Sequence, residues 1–334
     1  MTMYNNGPKV IEALKHGFYG SKVLVFGDLM LDYYLWGDVN RISPEAPVPV
    51  VRVKNQTETA GGSANVALNL KKLGLNVSCF GFIGRDNPGL HLIDCLRAES
   101  INTDSMIKVP GRPTTTKTRI IAKNQQMLRY DIEELSSIPD KYIQLLQERA
   151  KSKINKDLGA VILSDYAKGA LPQKLCRWII NQSNKAGVPV FVDPKGFDYE
   201  KYSGATFLSP NRYELAAISG ISSDNIKKLI QAGKELCHKF KLEYLLITRG
   251  EEGMTLVSEN ENFHMPSLAL EVYDVSGAGD TVLATIVAGR LAELDLEDCL
   301  HLANQAAGIV VSKVGTAPIE LSELVATVSS DLKT

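Results

Sequence analysis

The sequence predicts an α/β fold in which helices flank a mainly parallel sheet and a small β-sheet is inserted. Short apolar runs alternate along the chain with segments of helical periodicity, as expected for parallel strands buried on both faces. Two segments break this alternation, at about 33–55 and 110–131, where β-branched and charged residues are bounded by Pro or Gly. The 334 residues allow one large domain or two smaller ones. Since no linker rich in Pro, Gly or Ser divides the chain, we expect one domain over 1–334.

The predicted strands are aliphatic or aromatic runs too short for helices, at 22–26, 77–82, 160–163, 190–192, 206–208 and 244–248. The predicted helices have apolar residues spaced three and four apart, at 63–73, 88–98, 139–151, 172–186, 211–219, 224–239, 278–291 and 295–312. The interrupting segments predict the inserted sheet, with a turn near Lys123 and Asn124. A plain edge hairpin is the alternative for these segments.

Composition excludes several classes of function. The 37 basic and 38 acidic residues nearly balance, so we expect neither nucleic acid nor a membrane surface as a partner. Residues 1–20 lack an apolar core region, so we expect neither a signal peptide nor a membrane span. The cysteines are scattered, odd in number and without ligand spacing to the histidines. They predict reduced, buried thiols in a cytoplasmic protein: Cys79, Cys95, Cys176, Cys237 and Cys299.

Residues 274–281 (DVSGAGDT) combine an anion site with a base and precede an apolar helical segment. The small residues Gly277, Ala278 and Gly279 leave backbone N–H groups free to face a phosphate at the start of that helix, where the helix dipole also favours an anion. Asp280 is then placed to accept a proton from an attacking hydroxyl. This pattern predicts phosphoryl transfer. A glycine turn capped by Asp280 before a buried helix is the alternative.

A second glycine turn opens a predicted helix at Gly61 and Gly62, with Asn65 in its first turn. Together with 274–281, in this order and separation, it resembles the two signatures of the ribokinase (PfkB) family of sugar and nucleoside kinases. The resemblance covers nearly the whole chain. It implies a ribokinase-like fold, ATP as phosphoryl donor and Mg²⁺ as cofactor. It also implies that the inserted sheet is a lid over the sugar and a dimer interface.

The chain is further similar, at 27–37 (GDLMLDYYLWG) and 41–52 (RISPEAPVPVVR), to those family members that phosphorylate D-glycero-D-manno-heptose 7-phosphate. That similarity implies transfer to the anomeric hydroxyl, giving the 1,7-bisphosphate, on the route to ADP-heptose and lipopolysaccharide core. Many such kinases carry a C-terminal adenylyltransferase domain; as this chain stops at Thr334, we expect the stand-alone kinase form. Another sugar or nucleoside kinase, or a sugar-phosphate sensor without catalysis, remains the alternative, although a sensor would need no base.

Candidate sugar contacts follow the predicted strands, where ligands bind in open α/β sheets. Asp28 and Asp32 follow the first strand and can accept hydrogen bonds from sugar hydroxyls, with Asn65 beside them. The alternative for the aspartates is turn formation without a ligand. The valine-rich run Val48, Val50, Val51 and Val53, set opposite Ile120 and Ile121, predicts an apolar lid surface and a homodimer formed lid to lid.

A phosphorylated sugar also needs a second anion site, whose charge Lys or Arg must supply in a nearly neutral protein. Lys168, in the run SDYAKG that also contains Asp165, and Lys195 are the first choices, and Lys195 could equally serve the ATP phosphates. The further candidates lie in the lid segments: Arg52, Arg119 and Arg129. A solvated charge or an ion-pair partner is the ordinary alternative for each of these.

On the nucleotide side, Thr248, Gly250 and Gly253 resemble the family's Thr-x-Gly-x-x-Gly loop, although any turn with the same glycines could give the pattern. The resemblance places Asn304 beside adenine or ribose, an exposed helical Asn being the alternative.

Metal contacts are predicted at Asn211 and Glu214, three residues apart in a first helical turn. The family pattern puts such a pair near Mg²⁺ through water; an N-cap with a capping-box glutamate is the alternative, and both can hold. Asp274 and the turn around Gly315 are candidates for a monovalent cation.

Overall fold

The computed structural model describes residues 4–16, 18, 20–123, 125–269, 272–313 and 315–331. Its helices are α1 Gly7–His16, α2 Ser63–Lys72, α3 Asn87–Ala98, α4 Asp140–Lys151, α5 Gln173–Ala186, α6 Arg212–Ser219, α7 Ile226–Phe240, α8 Ala278–Leu291, α9 Leu296–Val311 and α10 Leu321–Asp331. Its strands are β1 Lys22–Gly27, β2 Leu29–Ile42, β3 Pro49–Gly62, β4 Asn76–Ile83, β5 Asn102–Lys108, β6 Thr115–Ala122, β7 Gln125–Ile132, β8 Ala160–Ser164, β9 Val190–Asp193, β10 Phe207–Leu208, β11 Tyr244–Thr248, β12 Met254–Val257 and β13 Asn262–Met265.

The main sheet has nine strands in the order β13-β12-β11-β10-β9-β8-β1-β4-β5. Pairing is parallel from β11 through β5, while β12 and β13 close one edge as an antiparallel hairpin. The central strands are apolar on both faces because helices cover both sides. In β1, Val23 and Val25 pack into one core, and Leu24 and Phe26 pack into the other.

Two groups of helices cover the sheet. The helices α2, α8 and α9 pack in the first core, together with the terminal helices α1 and α10. The helices α4, α5 and α7 pack in the second. Every helix predicted from the sequence is present, with ends shifted by at most two residues. Among the described residues, no helix is both long and apolar enough to cross a bilayer.

The inserted sheet, which we call the lid, has four strands in the order β3-β2-β6-β7. It confirms the predicted small sheet and corrects its limits, since β2 starts at Leu29, with a single residue between it and β1, and β3 runs to Gly62. The two glycines therefore end a strand rather than forming a separate turn, and Gly62, with φ at 57°, turns the chain directly into α2. The predicted turn includes Asn124, which lies outside the described residues.

The strand order of the lid shows that the predicted pairing of the valine run with Ile120 and Ile121 is wrong. Strand β2 lies between β3 and β6, so the valine run does not face Ile120 directly. Val48 and Val53 are about half exposed. In the described part of the chain, an exposed apolar row is instead formed by Leu128, Tyr130 and Ile132 on the edge strand β7.

The sequence did not predict α1, α10, β5 or the β12–β13 hairpin. Strand β5 mixes polar and apolar residues because it is the edge of the main sheet and is buried only in part. All five cysteines are free, and the expected burial holds for four of them. Cys95 is partly buried and the other four are buried; desolvation raises the pKa of the Cys79, Cys176, Cys237 and Cys299 thiols to about 12.

Candidate active site

The candidate site lies at the carboxyl ends of the parallel strands. From β1 the chain runs outward through the lid to β4 and β5, and then returns to β8 on the other side of β1. Such a reversal opens a crevice where ligands bind in α/β proteins. Asp28 follows β1 and Asp165 follows β8, so both border this crevice. The lid starts from the same point, at Leu29.

Asp280 lies in the first turn of α8 at the base of the crevice and is 4% exposed. Its Oδ2 accepts a hydrogen bond of 2.7 Å from Asn65 Nδ2, and its Oδ1 accepts one of 2.7 Å from the Tyr166 hydroxyl. Burial raises the pKa of Asp280 to about 6, and the two hydrogen bonds oppose that rise. The carboxylate therefore has a pKa suited to a general base near neutral pH.

The residues predicted to form the anion hole lie at the start of α8, where the N–H of Ala278 donates to the carbonyl of Val275 at 3.2 Å. Gly277 is the N-cap, in the left-handed region with φ at 81°, and the turn has no side-chain cap. Side chains of Asp86, Asn225 and Asp295 cap α3, α7 and α9, whereas α2, α4 and α5 also begin without a side-chain cap. A Cβ atom added at Gly277 would lie 2.7 Å from Asn65 Nδ2, whereas one at Gly279 would meet nothing within 4 Å. The protein thus requires glycine at 277 for its own packing, while the space over 279 is open to a ligand.

Tyr166, which was not singled out from the sequence, is held by Asp28. The Asp28 carboxylate accepts hydrogen bonds from the backbone N–H groups of Tyr166 (2.8 Å), Lys168 (3.2 Å) and Ala170 (3.0 Å). The loop is kept in a strained form, since Ala167 has φ at 56° without being glycine. Asp28 thus fixes the loop, and its contact with the sugar stays a prediction. A run of backbone donors facing one carboxylate has no signature in sequence.

Asp165 also holds this loop, and its predicted role in sugar binding stays a prediction. Its Oδ2 accepts hydrogen bonds from Lys201 Nζ (2.6 Å) and the Tyr202 hydroxyl (2.7 Å), and its Oδ1 accepts one from the N–H of Ala167. All these partners belong to the protein, so Asp165 anchors the loop from beneath. It is 3% exposed.

Asp32 keeps an unused acceptor for a sugar hydroxyl. It is 4% exposed, and its Oδ2 lies 3.1 Å from Arg119 Nη1 and 3.4 Å from Thr316 Oγ1. Its Oδ1 is buried without a hydrogen-bond partner among the residues that the structure describes, an arrangement that costs free energy until a donor arrives. A Cβ at Gly61 would lie 2.6 Å from that oxygen, so glycine there keeps the approach open.

The lysines predicted to bind a sugar phosphate are already paired. Lys168 Nζ lies 2.7 Å from Glu133, and Lys195 Nζ lies 2.5 Å from Glu214. Arg129 makes a two-point contact with Asp131, at 3.0 and 3.1 Å. None of the three offers the uncompensated charge on which the prediction depended. Their carboxylate partners are distant in sequence, except for Asp131, so spacing did not reveal them.

Asn211 and Glu214 form a capping box, the alternative considered from sequence. The Asn211 side chain accepts from the N–H of Glu214, whose own side chain accepts from the N–H of Asn211 at 2.9 Å. Asp193, at the end of β9, adds a third acidic group that the sequence reading missed. Burial raises its pKa well above the usual range, and the neighbouring Asp280 and Glu214 raise it further. Among the described residues, no three His, Cys, Asp or Glu side chains could ligate a metal together.

Of the residues predicted to bind the nucleotide, Thr248, Gly250 and Gly253 lie at the end of β11 and in the turn that leads to β12, and Asn304 lies on α9. Thr248 ends β11 and its N–H donates to the carbonyl of Pro210, beside the capping box of α6. Gly250 and Gly253 both have positive φ, and a Cβ at Gly253 would lie 2.1 Å from the carbonyl oxygen of Met265. Asn304 is buried, not exposed; its Nδ2 donates to the carbonyl of Pro266 at 2.7 Å, so it tethers the chain after β13.

The two residues considered for a monovalent cation are in contact. The Oδ2 atom of Asp274 accepts a hydrogen bond of 3.1 Å from the N–H of Gly315, and its Oδ1 accepts one of 2.9 Å from Ser276. This contact joins the segment before the anion hole to the segment after α9.

Comparison with solved structures shows the same fold in sugar kinases. Arabidopsis thaliana ribokinase, solved with ribose and ATP, superposes with a TM-score of 0.71 at 22% identity, covering 95% of this chain and 99% of that one. Phosphofructokinase-2 from Escherichia coli, solved with potassium, superposes with a TM-score of 0.76 at 18% identity, covering 93% and 99%. These identities support the fold alone, and they confirm the predicted ribokinase-like architecture.

Curated relatives are more similar in sequence. The bifunctional protein HldE of Magnetococcus marinus is 48% identical over 318 residues, which are 94% of this chain and 65% of that protein. HldE of Methylobacillus flagellatus is 47% identical over 316 residues, with the same coverage, and HldE of Vibrio cholerae is 45% identical over 304 residues. The chain thus spans slightly less than two thirds of these relatives. The family model for pfkB carbohydrate kinases matches residues 21–322, and the chain therefore belongs to the pfkB family of carbohydrate kinases.

Proposed function

We propose that this protein transfers the γ-phosphoryl group of ATP to the anomeric C1 hydroxyl of D-glycero-D-manno-heptose 7-phosphate, giving the 1,7-bisphosphate. The main support is the geometry at Asp280, where a buried carboxylate adjoins an uncapped helix start. Similarity to the HldE proteins and to heptose kinases in residues 27–52 supports the choice of sugar. The step belongs to ADP-heptose and lipopolysaccharide core synthesis. The proposal concerns phosphoryl transfer alone.

In this reaction the C1 hydroxyl loses its proton to Asp280 and its oxygen forms a bond to the γ-phosphorus. The bond between that phosphorus and the β–γ bridging oxygen breaks, and ADP leaves. Asn65 and Tyr166 hold the carboxylate through one hydrogen bond to each oxygen. The N–H groups at Gly277 and Gly279 stabilise negative charge on the transferred group, assisted by the dipole of α8, and that of Ala278 joins them when it leaves the Val275 carbonyl.

Mg²⁺ fits the acidic surroundings of the ATP phosphates. Asp193 and Glu214 supply the oxygen ligands that this ion prefers, and retained water explains why the described residues include no dedicated metal cluster. When bound, the ion neutralises charge on the transferred phosphate. The proximity of Asp193 to Asp280 and Glu214, which raises its pKa, is the observation that favours a cation here. Asp274 and Gly315 are the corresponding candidates for a monovalent ion.

For the sugar, we propose that Asp32 accepts a hydroxyl through its unpaired Oδ1, with Gly61 leaving room for the approach. For ATP, we propose that the nucleotide binds at the Thr248–Gly253 turn and at the segment around Pro266, which Asn304 holds in place. A homodimer formed through the lid would cover the exposed row Leu128, Tyr130 and Ile132. A cytoplasmic location agrees with the five free cysteines.

The deciding experiment measures ADP release from ATP with heptose 7-phosphate, fructose 6-phosphate, ribose and adenosine, and identifies the product by phosphorus NMR. We expect the highest kcat/KM with heptose 7-phosphate and a new phosphate on C1. A higher value for another acceptor would reassign the enzyme within its family. Sugar binding by calorimetry without ADP release from any acceptor would instead favour a sensor, and Asp280→Asn serves as the inactive control.

A further inference from the structure

The inner face of the lid, which faces the crevice, carries two adjoining rows of charged residues. Asp32 of β2 pairs in register with Lys117 of β6, which pairs in turn with Asp131 of β7. One step along the same face, Arg119 pairs in register with Arg129. Residues in register across neighbouring strands point to the same face, so these five side chains share it.

Within this group, one cation remains without an acidic partner. Arg119 lies 3.1 Å from Asp32, and Arg129 contacts Asp131 through two hydrogen bonds. Lys117 forms no ion pair within 4.0 Å with any carboxylate that the structure describes. Partial burial lowers the pKa of Lys117, while Asp32 opposes that shift. A half-buried ammonium group without a counterion is stabilised when an anion binds.

The position of Lys117 relative to the reacting group is fixed by Tyr166. Lys117 Nζ lies 5.2 Å from the centroid of the Tyr166 ring, whose hydroxyl contacts Asp280 at 2.7 Å. The ammonium group therefore lies over the face of the Tyr166 ring while the base contacts its hydroxyl, and the positive charge of Lys117 also lowers the pKa of Asp280. The uncapped start of α8 is next to the base, so the nucleotide phosphates have a separate site.

We propose that Lys117 binds the phosphate that the sugar already carries. This inference rests on the proposed function and names the residue that selects a phosphorylated acceptor. It replaces Lys168 and Lys195, whose charges are balanced by Glu133 and Glu214. Asp32 orients a hydroxyl in the next position along the same face.

The test compares wild type with Lys117→Met, using D-glycero-D-manno-heptose 7-phosphate and the same heptose without its phosphate as ligands. Calorimetry without ATP gives the two affinities, and steady-state kinetics gives KM for ATP. We expect Lys117→Met to weaken binding of the phosphosugar by about 10- to 100-fold, the scale of one hydrogen bond to a charged group, with little change for the plain sugar or ATP. Lys117→Arg should restore part of the preference.

Lys54→Met is the matched control, because Lys54 is an exposed lid lysine paired with Asp38. Equal losses for both sugars would show that Lys117 only supports Tyr166, and a loss confined to ATP would assign it to the γ-phosphate; either result overturns the inference. If wild type prefers the phosphosugar and Lys117→Met keeps that preference, the inference fails while the proposed function stands. If wild type itself shows no preference, both fail.

Discussion

The hydroxyl of Tyr166 donates a hydrogen bond of 2.7 Å to Oδ1 of Asp280, across 114 residues of sequence. The bond joins the loop after β8 to the first turn of α8, on the two sides of the crevice. The loop owes its shape to Asp28, which accepts three of its backbone N–H groups. Asp28, which follows β1, therefore orients Asp280 indirectly, because it holds the loop that carries Tyr166.

This relationship predicts a shift in the pH profile. The hydrogen bond from Tyr166 lowers the pKa of Asp280 from the value that burial alone would give. Tyr166→Phe removes the bond, so the acid limb of kcat/KM, expected near pH 6, should move to higher pH by roughly one unit. Activity should fall more at pH 6 than at pH 8, because the base must be ionised. Tyr142→Phe on α4 is the control, and an unmoved limb would refute the assigned role.

Asp280→Asn tests the chemistry directly. An amide cannot accept the proton, so kcat should fall by about 10²- to 10⁴-fold while ATP still binds, because the start of α8 is unchanged. Turnover with the heptose phosphate and calorimetry with ATP measure the two effects. Turnover close to that of wild type would exclude Asp280 as the base.

The same substitution should stabilise the fold above neutral pH. Since burial raises the pKa of Asp280 to about 6, the folded protein holds this proton more tightly than the unfolded chain does. The stability contributed by that difference is full below about pH 4 and is lost as pH rises through about 6. At pH 8, Asp280→Asn should therefore raise the free energy of unfolding by about 1–3 kcal/mol, as measured in urea. The gain should be absent at pH 4, and exposed Asp157→Asn should show neither effect.

Gly279→Ala separates the needs of the fold from those of the ligand. The added Cβ meets no protein atom within 4 Å, so alanine in α8 should stabilise the protein by about 0.5–1 kcal/mol. The same methyl group would occupy the space over the anion hole, and KM for ATP should rise roughly tenfold or more. Gly233→Ala in α7 makes ordinary contacts and should leave KM for ATP unchanged. An unchanged KM in both variants would place the ATP phosphates elsewhere.

The proposed dimer is tested on the lid. Leu128 and Ile132 are 55% and 51% exposed and lie on the lid face opposite Asp32. Replacing both by Asp should give monomers by sedimentation, with weaker sugar binding and nearly unchanged ATP binding, since only the sugar side is covered by the lid. The exposed leucine Leu90 of α3 provides the control substitution to Asp. A wild-type monomer at micromolar concentration would contradict the dimer model.

Features encoded by neighbouring residues could be predicted from the sequence alone. The apolar runs of β1 and β8 and the helical periodicity of α8 reflect local conformational preference and burial, so their positions were correct. The glycines around Gly277 and the adjacent Asp280 form a contiguous motif, because a helix start places consecutive N–H groups and the next side chain together. The inserted sheet was likewise visible from its β-branched segments.

Only the tertiary structure decided which polar groups are left for substrate. Asp28 is used by the loop around Tyr166, and Lys168 is paired with Glu133, while Lys117 forms no ion pair with any carboxylate that the structure describes. Whether a buried polar group is free depends on partners that the fold brings from far along the chain, and the cost of leaving such a group unpaired is set by its burial. Neither the partners of a polar group nor its burial can be read from local sequence. The motif at 274–281 therefore indicated where the candidate site lies but could not assign the contacts within it.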